Sequence, residues 1–271
     1  MMPEKKHEEV SNVRVFLLAV MPATVTWALI PLSFVVPALD STQAPYFDLT
    51  RAFSQLSYWV TQSGGKYGVA VVAVAVLIRL VTYCDSTYRQ KMRLSVIFVL
   101  IAAICAGGGA ALNEDIVKTR WKIPRPNIVW LAGDDGAGPL GMTAEEFYAS
   151  GDKNTRSLVL SNVLNARPQP VPLSTSIEAH WIEETGYSFP SGHAFAAMFF
   201  ATFFLMLAAT YVSSSRLWLF YALLPWALAV CYSRSVLRVH TPMDITIGGL
   251  QGLLLGLLSW AVARLLLRKF G

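Results

Sequence analysis

The sequence predicts an all-α polytopic membrane protein: a six-transmembrane-helix bundle with short external helices in the loop between spans 3 and 4. Three observations predict it. Only 14% of the 271 residues are charged, against about a quarter in a soluble domain, and the mean hydropathy is +0.47. The apolar residues gather into six separate runs, each near the roughly 20 residues that a bilayer crossing needs. Lysine and arginine concentrate on alternate connections between those runs, the pattern that sets membrane orientation.

The first run, about 15–37, follows Lys5, Lys6 and Arg14. It is longer than the apolar core of a signal peptide, and Val36-Pro37-Ala38 is a weak cleavage site, so it is read as a span. The second, 67–84, contains Arg79, which a neighbouring helix can accommodate. Arg89, Lys91 and Arg93 occupy the short connection to the third run, 94–117, where Gly107-Gly108-Gly109 reads as a packing surface. Glu114 and Asp115, just before Lys118, either tune that lysine or mark where the span stops, and the second is the first choice. The fourth run covers 191–212. The fifth, 217–233, follows Arg216 and turns polar at its end. The sixth, 243–263, carries Gly248, Gly252 and Gly256 at every fourth position, a stripe that lets another helix approach closely. Arg264, Arg268 and Lys269 follow it.

With six spans, all four basic segments share one face, which is assigned to the cytoplasm with both termini. The segments 38–66, 118–190 and 234–242 lie opposite. The whole chain, 1–271, reads as one integral membrane domain. Its net charge of +5 fits attraction to anionic headgroups and not nucleic-acid binding, and no obligate protein partner is evident. Cys84, Cys105 and Cys231 lie in or beside spans and read as small buried residues, without a disulfide or CxxC pattern.

The external loop 118–190 has soluble character. Gly133-Asp134-Asp135-Gly136-Ala137-Gly138 marks a turn. Thr143-Ala144-Glu145-Glu146 and Thr175-Ser176-Ile177-Glu178 are capping-box patterns that predict short helices. Trp121, Trp130, Trp181 and Tyr187 suit the membrane interface, and Phe147, Tyr148, Trp181 and Ile182 are candidates for a roof or entry rim.

Three polar clusters sit where spans meet this external face: Lys118 to Pro126, Pro190-Ser191-Gly192-His193, and Ser233-Arg234 through His240 to Asp244. A bundle can bring them together. Lys118, Arg125 and Arg234 would supply three cations, with arginine forks that match phosphate oxygens. Ser191 and Gly192 open a helix whose free N–H groups favour an anion. His193 and His240 would add an acid and a nucleophile for phosphoryl transfer. Asp244, four residues after His240, can take the imidazole Nδ1–H and leave Nε2 free to attack. Simpler roles exist for each: Lys118 and Arg125 as interfacial anchors, Ser191 as an N-cap, Thr241-x-x-Asp244 as a capping box, the histidines as metal ligands lacking a compact partner set. Each accounts for one cluster and none for all three.

The pattern Lys-x6-Arg-Pro, Pro-Ser-Gly-His, Ser-Arg-x5-His-x3-Asp resembles the signature of the type 2 phosphatidic acid phosphatase superfamily, at Lys118, Arg125, Pro126, Pro190, Ser191, Gly192, His193, Ser233, Arg234, His240 and Asp244. The stretches "RPNIVWL", "EEFY" and "HWIEETGYSFPSGH" are similar to bacterial membrane members of that family. The resemblance implies a six-span metal-independent phosphatase without a cofactor, acting through a phosphohistidine on His240 with His193 as acid. It implies phosphate binding by Lys118, Arg125, Ser191, Gly192 and Arg234. It also implies lipid substrates: phosphatidylglycerophosphate and undecaprenyl diphosphate first, then phosphatidic acid, lysophosphatidic acid and diacylglycerol diphosphate. The site would face the periplasm from a bacterial inner membrane, with lipid entering sideways between spans. A dedicated undecaprenyl diphosphate phosphatase is the neighbouring alternative. Vanadium-dependent haloperoxidases resemble the same signature but are soluble. A lipid transporter or binding protein is the alternative of another class, and it has no use for an acid–nucleophile pair.

Overall fold

The computed structural model describes residues 12–41, 47–84, 86–166 and 171–270, the last three by backbone alone. Lys5, Lys6 and the side chains of Arg268 and Lys269, which entered the charge pattern, lie outside the described residues. The described residues are helical throughout their regular structure, and six helices are long and apolar enough to cross a bilayer. In chain order, α1 is Asn12–Phe34, α2 Ala52–Gly64 and α3 Lys66–Tyr83. Helix α4 starts at Tyr88 and runs to Leu112, then continues through a π-helical turn, Asn113–Val117, into Lys118–Trp121. The external helices are α5 Pro126–Ala132, α6 Ala144–Ala149, α7 Lys153–Leu164 and α8 Thr175–Glu183. The chain then re-enters the bundle as α9 Gly192–Tyr211, α10 Ser214–Val236 and α11 Pro242–Phe270.

Helix α9 is the axis of the bundle. Its most apolar stretch is 83% buried, against 6% for α3, which therefore presents most of its surface to lipid. Phenylalanines four apart stack along α9: Phe195 on Phe199 at 6.3 Å and Phe199 on Phe203 at 5.7 Å, the neighbour spacing of a helix face. Helix α11 packs along α9 through the glycine stripe. A Cβ on Gly248 would sit 2.4 Å from the Ser191 carbonyl oxygen, and one on Gly252 2.2 Å from that of Phe195. Here the packing expectation holds. The Gly107–Gly109 expectation holds only in part: Gly109 faces Phe195, while Gly107 and Gly108 have nothing within 4 Å.

Other expectations need correction. Arg89, Lys91 and Arg93 are not in a connection but in the first turns of α4, because the Thr87–Gln90 capping box starts the helix six residues before the apolar run. Glu114 and Asp115 do not end the helix, which continues to Trp121. The segment 38–66 holds helix α2, whose buried face is Ser54, Ser57, Thr61 and Gly64. Its opposite face exposes Phe53, Leu56 and Trp59. An apolar outer face belongs against lipid at the interface.

The external helices enclose a second hydrophobic core of Ile128, Leu131, Phe147, Leu160, Ile177 and Trp181, joined by Leu237 and Val239 from the α10–α11 connection. Thr143 caps α6 with Glu146 as its sequence pattern predicts. The Thr175 pattern fails: Ser174 takes the N-cap position without a side-chain cap bond, and its hydroxyl accepts from the Gln55 amide instead. Trp181 is fully buried and donates to the Leu237 carbonyl at 2.9 Å, so it is a core residue and not an interfacial one. Phe147 and Tyr148 are likewise buried; they hold the roof up from inside and do not form its rim.

This packing has a direct consequence. Gly252→Leu should destabilise by about 3 kcal/mol or more, since backbone atoms of α9 occupy the space. Gly107→Ala should be neutral or stabilising by up to about 1 kcal/mol, because the position is open and alanine favours a helix. Thermal melting in detergent reads both; an unaltered Gly252→Leu would refute the close approach of α9 and α11.

Candidate active site

The three polar clusters meet above α9. Backbone hydrogen bonds hold them in register: Ser188 N–H donates to the Ile123 carbonyl at 2.8 Å, Ser191 N–H to that of Asp244 at 3.0 Å, and Asn127 N–H to that of Arg238 at 2.9 Å. Each local chain path has a reason. The left-handed residue Lys122 (φ 49) stops α4, and Pro126 takes the first position of α5 with Arg125 extended before it. Ser191 caps α9, accepting from Ala194 N–H. Thr241 and Asp244 form the capping box of α11, with Thr241 N–H donating to Asp244 Oδ2 at 2.7 Å and Asp244 N–H to Thr241 Oγ1 at 3.2 Å.

Arg125 is 2% exposed and nearly all its donors are engaged. Its Nε donates to the Gly186 carbonyl at 2.8 Å and its Nη1 to that of Val239 at 2.9 Å. Nη1 also lies 3.3 Å from His240 Nε2. Nη2 forms an ion pair with Glu184 Oε2 at 2.7 Å. Arg234, fully buried, donates from Nη1 to Thr61 Oγ1 at 2.9 Å and lies 3.1 Å from His180 Nε2. Its Nη2 pairs with Glu184 Oε1 at 3.0 Å, while its Nε has no partner among the described residues. One carboxylate thus bridges both guanidinium groups, one oxygen to each.

The remaining predicted residues surround this bridge. Lys118 is buried and pairs with Glu114 Oε2 at 2.6 Å; of the two roles open to Glu114, the tuning of Lys118 is the one the geometry carries. His193 lies within electrostatic reach of Arg234, Glu184 and His240. Its Nε2 would be 3.3 Å from a Cβ on Gly65. Gly192 has no heavy atom near its open side. His240 Nδ1 is 3.5 Å from Asp244 Oδ2. Asp244 therefore serves as cap and as neighbour of His240 at once.

Electrostatics favours a neutral imidazole at His240. Burial, with Arg125 beside it, pushes its pKa down to about 3, against a smaller opposing pull from Asp244. Burial and Arg234 lower His180 to about 3 as well. Burial alone would raise the Glu184 carboxyl, but Arg125 and Arg234 outweigh it and hold the group well below the usual carboxylate range. Because arginine only donates, both histidines accept through Nε2 and carry their proton on Nδ1.

A cavity of about 810 Å³ opens sideways from the site between α3, α4 and α9. It is lined by small residues of α3 and α4, among them Ala73, Ala102 and Ala106, and by Phe98, Phe200 and Phe204. Glu114 and His193 line its upper end.

Residues 93–267 match the PAP2 superfamily. The chain belongs to that superfamily. The match contains every predicted site residue but not Thr61. Among curated relatives, phosphatidylglycerophosphatase B of Escherichia coli K12 is 28% identical over 207 residues, 76% of this chain and 72% of the relative. Phosphatidylglycerophosphatase B of Haemophilus influenzae Rd is 28% identical over 220 residues, 77% of this chain and 82% of its own. PAP2 membership and these relatives support a lipid phosphatase.

Sequence reasoning missed Glu184, His180, Thr61 and Ser188. His180 and Glu184 had a signal: one is among only four histidines, and the other adjoins the Pro190–His193 cluster. Thr61 had none, because it arrives from a helix read as loop.

The buried neutral histidines carry a pH dependence. His180 and His240 take up protons near pH 6.5 when unfolded but resist them to about pH 3 when folded. The unfolded state therefore binds more protons between those values, and stability falls as pH drops through that window. Melting temperature in detergent should decline from pH 7.5 to 4.5, and the decline should be shallower in His180→Gln, whose amide oxygen can still accept from Arg234. Parallel curves would contradict a neutral, buried His180.

Proposed function

We propose that the protein hydrolyses the terminal phosphate of phosphatidylglycerophosphate, and also of undecaprenyl diphosphate, through a phosphohistidine on His240. The observation that carries this is His240 itself: a neutral imidazole with its unprotonated Nε2 turned toward Arg125, within electrostatic reach of His193, which lines a lateral apolar cavity. The cavity offers a lipid tail a path from the bilayer while the headgroup reaches the cations. Preorganised cations stabilise the charge of the transferring phosphoryl group without reorganisation. Arg125, Arg234 and Lys118 would bind the phosphate oxygens, with the Ser191 hydroxyl and Gly192 N–H at the start of α9. The likeness to phosphatidylglycerophosphatase B supports the choice of lipid.

In the first step the Nε2 lone pair of His240 attacks phosphorus, the bond from phosphorus to the lipid oxygen breaks, and His193, protonated once the negative phosphate is bound beside it, gives its proton to that oxygen. In the second, His193 takes a proton from a water whose oxygen attacks the phosphohistidine. Inorganic phosphate leaves and His240 is restored. No step calls for a metal ion.

The basic ends of the helices support an orientation. Arg14 donates to the Val212 carbonyl at 3.1 Å, Arg264 to Asn12 at 2.7 Å, and Arg216 lies over the Tyr83 ring. All are at the end of the bundle opposite His193. By the positive-inside rule that end is cytoplasmic, and the site faces the periplasm of a bacterial inner membrane.

Purified protein in detergent should release phosphate from phosphatidylglycerophosphate with EDTA present, and His240→Ala should lose at least about a thousandfold in kcat. Side-by-side rates with undecaprenyl diphosphate separate this reading from a dedicated diphosphate phosphatase. No release from either lipid by folded wild-type protein would leave lipid binding or transport in its place.

Glu184 occupies the space between two arginines that phosphate would claim. Glu184→Gln leaves both cations without their anion, so the variant should melt earlier in phosphate-free buffer. Added phosphate or vanadate should raise its melting temperature more than that of the wild type. Equal shifts would place the anion elsewhere.

A further inference from the structure

The clearest unassigned group in the molecule is the hydroxyl of Ser188. The residue is completely buried, and its backbone N–H is anchored to the Ile123 carbonyl, two residues before Arg125. Its Oγ lies 3.3 Å from His240 Nδ1 and in short contact with Asp244 Oδ2. Asp244 Oδ2 itself is 3.5 Å from Nδ1; both distances exceed the usual N–H···O range of about 2.7–3.2 Å, the serine's by less. The serine oxygen therefore stands nearer to Nδ1 than the carboxylate does, and it touches both.

The protons in this cluster have one consistent arrangement. Arg125 has only donors, so the imidazole Nε2 facing its Nη1 at 3.3 Å must accept, which places the ring proton on Nδ1. An ionised carboxylate only accepts, so the single hydroxyl proton of Ser188 goes to Asp244. The serine lone pairs are left for Nδ1–H.

We propose that Ser188 is a positioning residue for His240: its hydroxyl receives Nδ1–H and donates to Asp244, holding the imidazole in the tautomer whose Nε2 can attack phosphorus. The inference rests on the phosphohistidine reading above. It gives Ser188 a further task during the reaction. When Nε2 bonds to phosphorus the ring becomes cationic while keeping Nδ1–H, and the hydroxyl passes that charge's interaction on to Asp244. No proton leaves the Ser188–Asp244 pair, so the group is ready for the hydrolytic step without reset.

The test is a double-mutant cycle with a tautomer measurement. Ser188→Ala should lower kcat for phosphatidylglycerophosphate about tenfold, the equivalent of one hydrogen bond, with KM within about twofold. In an Asp244→Ala background the same change should cost little further, because the serine acts through that carboxylate. Protein labelled with ¹⁵N-histidine in detergent should show His240 as the Nδ1–H tautomer in the wild type and as a mixture in Ser188→Ala. If Ser188→Ala melts early, Ser188→Cys fills similar space with a weak donor and carries the same expectations. Full kcat in the folded variant, full additivity with Asp244→Ala, or an unchanged tautomer would each overturn the proposal. Wild-type protein without phosphate release would instead refute the enzymatic reading, and the tautomer measurement would still judge Ser188.

Discussion

Two buried guanidinium groups dominate this architecture. A bare cation taken out of water is too costly to keep, and Arg125 and Arg234 are 2% and 0% exposed. Glu184 resolves the conflict by giving one carboxylate oxygen to each. The three groups come from the segment after α4, the segment before α9 and the end of α10, so the ion cluster ties parts of the chain more than a hundred residues apart. The rest of the site is arranged around it. Thr61 and His180 accept from Nη1 of Arg234, and the carbonyls of Gly186 and Val239 accept from Nε and Nη1 of Arg125. In the proposed reaction a phosphate would take the place of Glu184 as the anion between the two arginines.

The external helices make that cluster rigid. Their core is built around Phe147 and Trp181, and Trp181 reaches the α10–α11 connection through its hydrogen bond to Leu237. Tyr148 accepts from Arg125 N–H at 3.1 Å and stacks on Tyr187, and Arg156 lies over both rings. The loop that carries Arg125 is thus held by aromatic packing on one side and by backbone bonds to Ser188 and Arg238 on the other. A soluble-looking insertion becomes the clamp that keeps membrane-embedded helices in register at one end.

Much of this was legible in the sequence because bilayer physics is severe. Apolar runs of about 20 residues and alternating basic connections identify spans with little ambiguity, and α9 and α11 lie where the runs predict. The glycine spacing at Gly248, Gly252 and Gly256 foretold which helix face meets another. Legibility failed where apolarity stops being diagnostic. The polar start of α4 and its polar end, Glu114 to Trp121, are helical because caps and the π-helical turn continue them, and hydropathy does not register either. Trp181 looked interfacial because tryptophan favours both interfaces and cores, and only the tertiary core decides between them. The convergence of Lys118, Arg125, Ser191, Gly192, His193, Arg234, His240 and Asp244 was foreseeable from residue types on a shared face. Their supporting groups, Glu184, His180, Thr61 and Ser188, were not, since a partner for a buried arginine can come from any segment that packing brings near.

Helix α2 turns serine, threonine and glycine toward the protein and Phe53, Leu56 and Trp59 outward, and its inner face ends at Thr61 against Arg234. The rings seek a particular level in the bilayer, so the helix behaves as a float whose waterline is the interfacial layer. Its hydrogen bond to Arg234 ties that level to the charged cluster. The height of the site above the hydrocarbon is then a property shared by protein and lipid, and a bilayer of different thickness would present its headgroups to the same residues at a different depth.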